Sequence, residues 1–452
     1  MKLFGTDGIR GKVNRSVITP ETALRVGMAM ASTIKTNHGR RMVLIGKDTR
    51  LSGYMLESAL TSGICSMGMD VTLVGPLPTP GIAFLTRALR LDAGIVISAS
   101  HNPYEDNGIK IFSSSGFKLS DEIEKKIEEC CADEAFPSKR AAGDRIGRAF
   151  RLDDANGRYL EYIKSTIPRK SDLDGIKVVV DSANGAAYKI TPVLLKELGA
   201  EVISINDKPD GKNINDNCGS LYLENLGNAV REAGAHVGIA HDGDADRTLV
   251  VDEKGRLVDG DLIMGMWAPQ LKTEGRLGGN AVVATVMSNL GLEKYLEKFG
   301  IKLIRAKVGD RYVTEEMIKG GYTLGGEQSG HIIFFEYNTT GDGPITALQV
   351  LYLMRLKERL LSELTSGIEL YPQVLINVPV AGKKDFRKFP EVLFAVESAE
   401  KELKDKGRLL VRPSGTEPKV RVMVEAENDN LAKKAAESVA DAIRRNMGQE
   451  AS

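Results

Sequence analysis

Short apolar runs alternate with amphipathic stretches up to about residue 367, the pattern of parallel β-α-β units. Met42-Val43-Leu44-Ile45 predicts a strand, Leu56 to Met67 a helix closed by Gly68, and Val71-Thr72-Leu73-Val74 the next strand. The same unit returns from Lys177 to Ile203, with Gly199 closing its helix. It returns again from Ala281 to Ile304, with Gly300 in that place. Each copy then has a second helical stretch and a third strand: Ile95-Val96-Ile97, Val237-Gly238-Ile239 and Tyr322-Thr323-Leu324. A polar loop follows each third strand: Ser98 to Pro103, His241 to Arg247, and Gly325 to His331. Ligands of parallel α/β sheets bind beyond the carboxyl ends of the strands, so three repeats present three loops that can converge on one cleft.

After residue 367 the pattern changes to strand (Val374 to Val380), helix (Glu391 to Lys406), two strands (Leu409 to Val411, Val420 to Glu425) and a final helix to about Arg445. The expected fold is therefore α/β: three similar mixed-sheet domains around a central cleft, plus a smaller C-terminal α+β domain. The boundaries predicted are 1–150, 151–255, 256–367 and 368–452, with the last domain closing as a lid that keeps water out.

Composition narrows the function classes. A chain of 452 residues with 61 Lys+Arg against 61 Asp+Glu has no net field to attract nucleic acid or an anionic membrane. No apolar run reaches the roughly 20 residues of a membrane span. Met1-Lys2-Leu3-Phe4 leads into Gly5-Thr6-Asp7-Gly8 without an apolar signal core, and Cys65, Cys130, Cys131 and Cys218 lack metal-ligand spacing. A cytoplasmic protein with reduced thiols is expected.

The polar loops carry the chemistry. Asp242, Asp244 and Asp246 repel one another unless a cation gathers them, and hard oxygen ligands suit Mg²⁺. A calcium EF-hand is excluded because Arg247 stands where that loop needs glycine, and the flanks read as strands rather than helices. A solvated acidic turn is the plain alternative. Ser100 and His101 precede Pro103, which stiffens the turn, and Lys110 lies on the next strand. No G-x-S-x-G elbow accompanies Ser100, so a hydroxyl beside a divalent cation, able to carry a phosphoryl group, fits better than a serine hydrolase. Arg412, Ser414, Gly415, Thr416 and Arg421 supply hydroxyls, a close-approach glycine and fixed charge for an anion; a β-turn with a surface arginine is the simpler reading. Glu327, Ser329 and His331 match vicinal sugar hydroxyls, or equally a capped helix start, and Arg10 sits in a glycine turn from which it can reach a phosphate.

One mechanism uses all of these. Phosphoserine at 100, tied to Mg²⁺, passes its phosphate to a sugar phosphate held by the Arg412–Thr416 segment, with His101 and Lys110 as base and acid. The bisphosphate product turns end over end, and Ser100 takes back the other phosphate. At these residues the chain resembles the α-D-phosphohexomutase superfamily, through five motifs in order over essentially its whole length. The resemblance implies phosphoserine at Ser100, metal ligation by Asp242, Asp244 and Asp246 together with Ser100, and sugar contacts from Glu327 and Ser329. It further implies phosphate contacts from Arg412, Ser414, Gly415, Thr416 and Arg421, with acid/base or phosphate-orienting roles for Arg10, His101, Lys110 and Arg247. Gln328 and the segment Gly309-Asp310-Arg311-Tyr312-Val313 resemble the glucosamine branch, which adds Gly309 and Asp310 to the substrate contacts. That branch interconverts glucosamine 6-phosphate and glucosamine 1-phosphate with Mg²⁺ and a sugar 1,6-bisphosphate, toward UDP-N-acetylglucosamine. Its partners are a small hexosamine phosphate and, as an option, a second copy of the chain. The alternatives are a glucose- or mannose-phosphate mutase of the same superfamily, a non-catalytic sugar-phosphate binder and a phosphatase. Ala245 stands where the superfamily often has a second glycine, and His241 replaces an apolar or aromatic residue.

Overall fold

The computed structural model describes residues 2–5, 7–35, 41–382, 385–414 and 418–448, and Gly415 and Thr416 lie outside this set. The chain forms two compact units, Met1–Met287 with Gly300–Ser366, and Ser288–Phe299 with Gly367–Ser452.

The first unit holds three sheets. The first contains β1 (Ile9–Lys12), β2 (Met42–Lys47), β3 (Asp70–Pro76), β4 (Ala93–Ile97), β5 (Asp106–Ser113) and β6 (Ala149–Arg151), in the order β1-β5-β4-β2-β3-β6. The second contains β7 (Lys177–Asp181), β8 (Glu201–Ile205), β9 (Val237–His241), β10 (Thr248–Asp252) and β11 (Leu257–Val258), in the order β11-β10-β9-β7-β8. The third contains β12 (Ala281–Thr285), β13 (Lys302–Ala306), β14 (Leu324–Gly326) and β15 (Ile332–Phe334), in the order β13-β12-β14-β15. A common core recurs in all three: β3-β2-β4-β5, β8-β7-β9-β10 and β13-β12-β14-β15, in which the first three strands are parallel and the fourth is antiparallel. Central strands such as β4 and β12 are buried along their full length, as strands covered on both faces must be, so they read as continuous apolar runs.

One strand is displaced from its expected place. The third strand of the last copy begins at Leu324, not Tyr322, and takes in Gly325 and Gly326. A Cβ on Gly325 would stand 2.6 Å from Met317 Sδ, so the missing side chains let a helix pack close against this strand. The turn after it, Glu327 to Gly330, joins two strands and starts no helix.

The second unit has β16 (Gln373–Pro379), β17 (Gly407–Pro413) and β18 (Lys419–Ala426) in the antiparallel order β16-β18-β17. Val378, Val422 and Val424 pack with Ala435, Val439 and Ile443 of the helix Asp429–Met447. All four cysteines are free thiols, and no helix among the described residues is long and apolar enough to cross a membrane.

Candidate active site

The three loops that follow β4, β9 and β14 each contain one residue in left-handed backbone: Ser100 (φ 52°), Ala245 (φ 53°) and Gly330 (φ 91°). For an L-residue that conformation costs roughly 1–2 kcal/mol, so the surroundings must hold it. At Ser100 the holding groups are visible. Its N–H donates to Ser98 Oγ at 2.9 Å, and its carbonyl accepts from Arg50 Nη2 and Asn215 Nδ2, each at 2.9 Å. The side-chain hydroxyl is buried and donates to Asp242 Oδ2 at 2.6 Å. His101 Nδ1 lies 3.3 Å from the same oxygen.

Asp242, Asp244 and Asp246 sit in the turn between β9 and β10, whose strand flanks agree with the exclusion of an EF-hand. They are buried, and one oxygen of each lies within 4.8 Å of the others. Among the described residues this is the one group of carboxylates, histidines or thiols so arranged. Gly243 makes the approach to the serine loop feasible, since a Cβ there would stand 2.6 Å from the Ser100 carbonyl oxygen. Thr79 Oγ1 (2.6 Å) and Lys110 Nζ (2.8 Å) both donate to Asp244 Oδ2. Lys110 also reaches Asp246 Oδ2 at 3.2 Å and Asp7 Oδ2 at 3.3 Å.

Electrostatics distinguishes the three acids. Burial, then Asp246 and Asp244, push the Asp242 carboxyl up to about 8. Burial would raise Asp246 too, but the Lys110 ammonium overrides it and holds that carboxyl well below the usual range. Burial likewise works against the Lys110 ammonium, yet Asp244, Asp246 and Asp7 keep its pKa well above that of a free lysine. Asp244 Oδ1 and Asp246 Oδ1 are buried without a hydrogen-bond partner. Orphaned hard oxygens beside a carboxyl forced toward neutrality fit a divalent cation, which would let all three ionise.

His101 is depressed to about 4 by burial and by the neighbouring Arg247 and Arg10, and is therefore neutral near pH 7. Arg247 Nη1 lies 3.3 Å from His101 Nδ1 and can only donate, which assigns the ring proton to Nε2. The Arg247 N–H donates to Asp242 Oδ1 at 3.3 Å. Arg10 pairs with Asp7, and its Nε is buried without a partner. His241 lies beneath the acidic loop between Thr191 Oγ1 and Thr248 Oγ1, each at 2.8 Å; burial depresses it to about 4 and keeps it neutral.

In the third loop Glu327 Oε1 accepts from the Gly309 N–H at 3.1 Å, and Ser329 Oγ stands 3.4 Å from Glu327 Oε2. Gly309 has φ 125°, a conformation reserved for glycine, at the start of the helix Asp310–Gly320. Asp310 pairs with Lys118, which also holds Asp7. His331 is buried rather than displayed: its Nε2 accepts the Gly341 N–H at 2.9 Å, and its ring lies 3.8 Å from Asp246 Oδ1.

In the second unit Arg412 on β17 stands opposite Arg421 on β18. Burial, then the Arg421 charge, lower the Arg412 pKa, and Arg421 Nε is buried without a hydrogen-bond partner. Ser414 is buried at the end of β17, its N–H donating to the Lys419 carbonyl at 2.8 Å.

Several groups around Ser100 escaped the sequence reading: Asp7, Asp48, Arg50, Thr79, Lys118 and Asn215. The rule that pointed to the loop after β4 applies equally to β2, whose carboxyl end runs into Asp48-Thr49-Arg50.

The chain belongs to the phosphoglucomutase/phosphomannomutase family. Its α/β/α domains I, II and III match residues 1–138, 157–255 and 259–371, and its C-terminal domain matches 375–442. Within the family the chain is 57% identical to the phosphoglucosamine mutase of Thermodesulfovibrio yellowstonii, over 97% of this chain and 98% of that one. It is 54% identical to the phosphoglucosamine mutase of Syntrophotalea carbinolica, over 99% and 98%. The crystal structure of a phosphoglucomutase/phosphomannomutase family protein from Burkholderia thailandensis superposes with a TM-score of 0.82 at 25% identity, over 98% of this chain and 97% of that one.

Proposed function

We propose that this chain interconverts glucosamine 6-phosphate and glucosamine 1-phosphate through a phosphoserine at position 100 and a glucosamine 1,6-bisphosphate intermediate. The observation that carries the reading is the 2.6 Å hydrogen bond from Ser100 Oγ to Asp242, which sets a buried hydroxyl against the acidic trio. Asp242, Asp244 and Asp246 would hold Mg²⁺ together with an oxygen of the serine phosphate. When bound, the ion supplies charge neutralisation at the transferring phosphoryl group.

The protein groups have separable tasks. The P–O bond to Ser100 Oγ breaks as one forms to the sugar hydroxyl, whose proton passes to a base. His101, neutral near pH 7, can accept it, whereas Lys110 is protonated and can return one to the serine oxygen in the first half-reaction. Arg10 and Arg247 orient the transferring phosphate. Glu327 and Ser329 bind sugar hydroxyls, with Gly309 and Asp310 shaping that side and His331 supporting it from below. Arg412, Ser414, Gly415, Thr416 and Arg421 grip the phosphate not in transfer. Once the bisphosphate turns over, the same steps run in reverse and restore phosphoserine.

The test is intact-mass and kinetic. The purified protein carries phosphate on Ser100 and isomerises glucosamine 6-phosphate with Mg²⁺ and added bisphosphate; Ser100→Ala stays folded and loses turnover. Full activity in Ser100→Ala overturns the phosphoserine. A kcat/KM higher for mannose or glucose phosphates than for glucosamine phosphate overturns the substrate assignment.

A further inference from the structure

We propose that Arg50 is a positioning residue that sets the in-line geometry of Ser100, a proposal that rests on the phosphoserine reading above. Arg50 is completely buried at the carboxyl end of β2, next to β4 in the sheet. Its Nε donates to Asp48 Oδ2 at 2.8 Å. Its Nη2 donates to the carbonyls of Ser100 (2.9 Å) and Asn102 (2.8 Å), and its Nη1 to that of Pro103. One planar fork thus binds three carbonyls within four consecutive residues of the loop that carries the reacting hydroxyl.

A second path reaches the other side of Ser100. Asp48 Oδ2 accepts from Ser98 Oγ at 2.6 Å, and Ser98 Oγ accepts the Ser100 N–H at 2.9 Å. Arg50 and Asp48 therefore hold both the N–H and the C=O of a residue in left-handed backbone. From the connection between β8 and β9, Asn215 Nδ2 adds bonds to the Ser100 carbonyl at 2.9 Å and the Asn102 carbonyl at 3.1 Å. The Arg50 charge is matched by Asp48 at 2.8 Å, so its contribution is directional rather than electrostatic. Transfer with little covalent assistance depends on alignment, and a shift of about 1 Å costs about 100-fold in rate. Lysine cannot replace the fork, because a single ammonium has no fixed planar set of donors to span three carbonyls.

The experiment uses full-length wild type, Arg50→Lys and Ser98→Ala, each charged with glucose 1,6-bisphosphate and Mg²⁺. Phosphate on Ser100 is counted by intact mass, and kcat is expressed per phosphorylated serine. Arg50→Lys is expected to fall about 100-fold in kcat per phosphorylated serine, with KM moving less than about threefold. Ser98→Ala, which spares the guanidinium contacts, is expected to fall about tenfold. A purely structural role would lower only the phosphorylated or folded fraction. Wild-type kcat per phosphorylated serine in both variants overturns the proposal. Wild-type protein with turnover but no phosphate on Ser100 overturns the preceding reading, and this one with it.

Discussion

The acidic loop of the first unit and the arginine pair of the second treat charge in opposite ways. Asp244 and Asp246 share the Lys110 ammonium, Arg247 stands near Asp242, and Asp7 joins from the turn before β1. On β17 and β18, by contrast, two arginines stand opposite each other in register, and burial, then the Arg421 charge, depress the Arg412 pKa. Like charges directly opposite on a sheet are destabilising, and an anion between them would offset that cost. In the acidic loop the Lys110 ammonium offsets part of the carboxylate charge. The proposed function gives the basic pair an anion to bind, the phosphate that is not in transfer.

The largest test of this contrast is Asp244→Ala, which removes a metal oxygen and the main partner of Lys110. It should lower kcat/KM by about 10³-fold and weaken Mg²⁺ binding by calorimetry. Unchanged Mg²⁺ affinity would break the comparison on the acidic side. Next, Arg421→Ala should raise KM for the sugar phosphate about 10- to 100-fold, the worth of a charge-assisted hydrogen bond, while leaving Mg²⁺ affinity intact. A change in kcat alone would break the other side.

Asp342 sharpens the contrast from within the first unit. Its partners are the Ile345 N–H, the Asn338 amide and the Tyr159 hydroxyl, and burial raises it to about 6. The Lys110 ammonium overrides burial at Asp246, whereas at Asp342 the hydrogen bonds and the Arg87 charge do not. Because its folded pKa lies above the unfolded value of 3.8, stability from its protonated form is full below pH 3.8 and lost as pH rises through 6. Asp342→Asn should therefore gain on wild type by up to about 3 kcal/mol between pH 4 and 7, read by urea unfolding at each pH. The smallest effect is Ala245→Gly. Relief of roughly 1–2 kcal/mol of left-handed strain, less the roughly 0.5–1 kcal/mol of added unfolded-state freedom, predicts about 0.5 kcal/mol of stabilisation. Destabilisation would mean that the Ala245 methyl contributes packing within the acidic loop.

Periodicity carried the architecture because each repeat is built from local signals: an apolar strand, an amphipathic helix and a closing glycine. It also placed Ser100 and the acidic trio, because topology sends the loops after third strands to one face. What it could not carry were partnerships across the chain, such as Thr79 with Asp244, Asn215 with Ser100, or Lys118 between Asp7 and Asp310. These depend on how sheets meet, and a lone threonine or asparagine in a turn has no pattern to announce it. His331 shows the converse: a polar residue in a chemically suggestive loop whose ring is turned inward onto a backbone N–H. Gly325 shows that a strand edge moves when packing needs the absence of a side chain more than β propensity.

The second compact unit is assembled from two separate stretches of chain. The Leu290 N–H at the start of the helix Leu290–Glu297 is held by Glu425, and the Ser288 carbonyl by Arg408. On a ribosome that helix therefore emerges well before the strands that hold its amino-terminal end, and it waits for Glu425 and Arg408 until the last segment of the polypeptide is made. Truncation near residue 367 would strand it permanently. The shortened product should attract chaperones or aggregate rather than persist as a tidy three-sheet fragment.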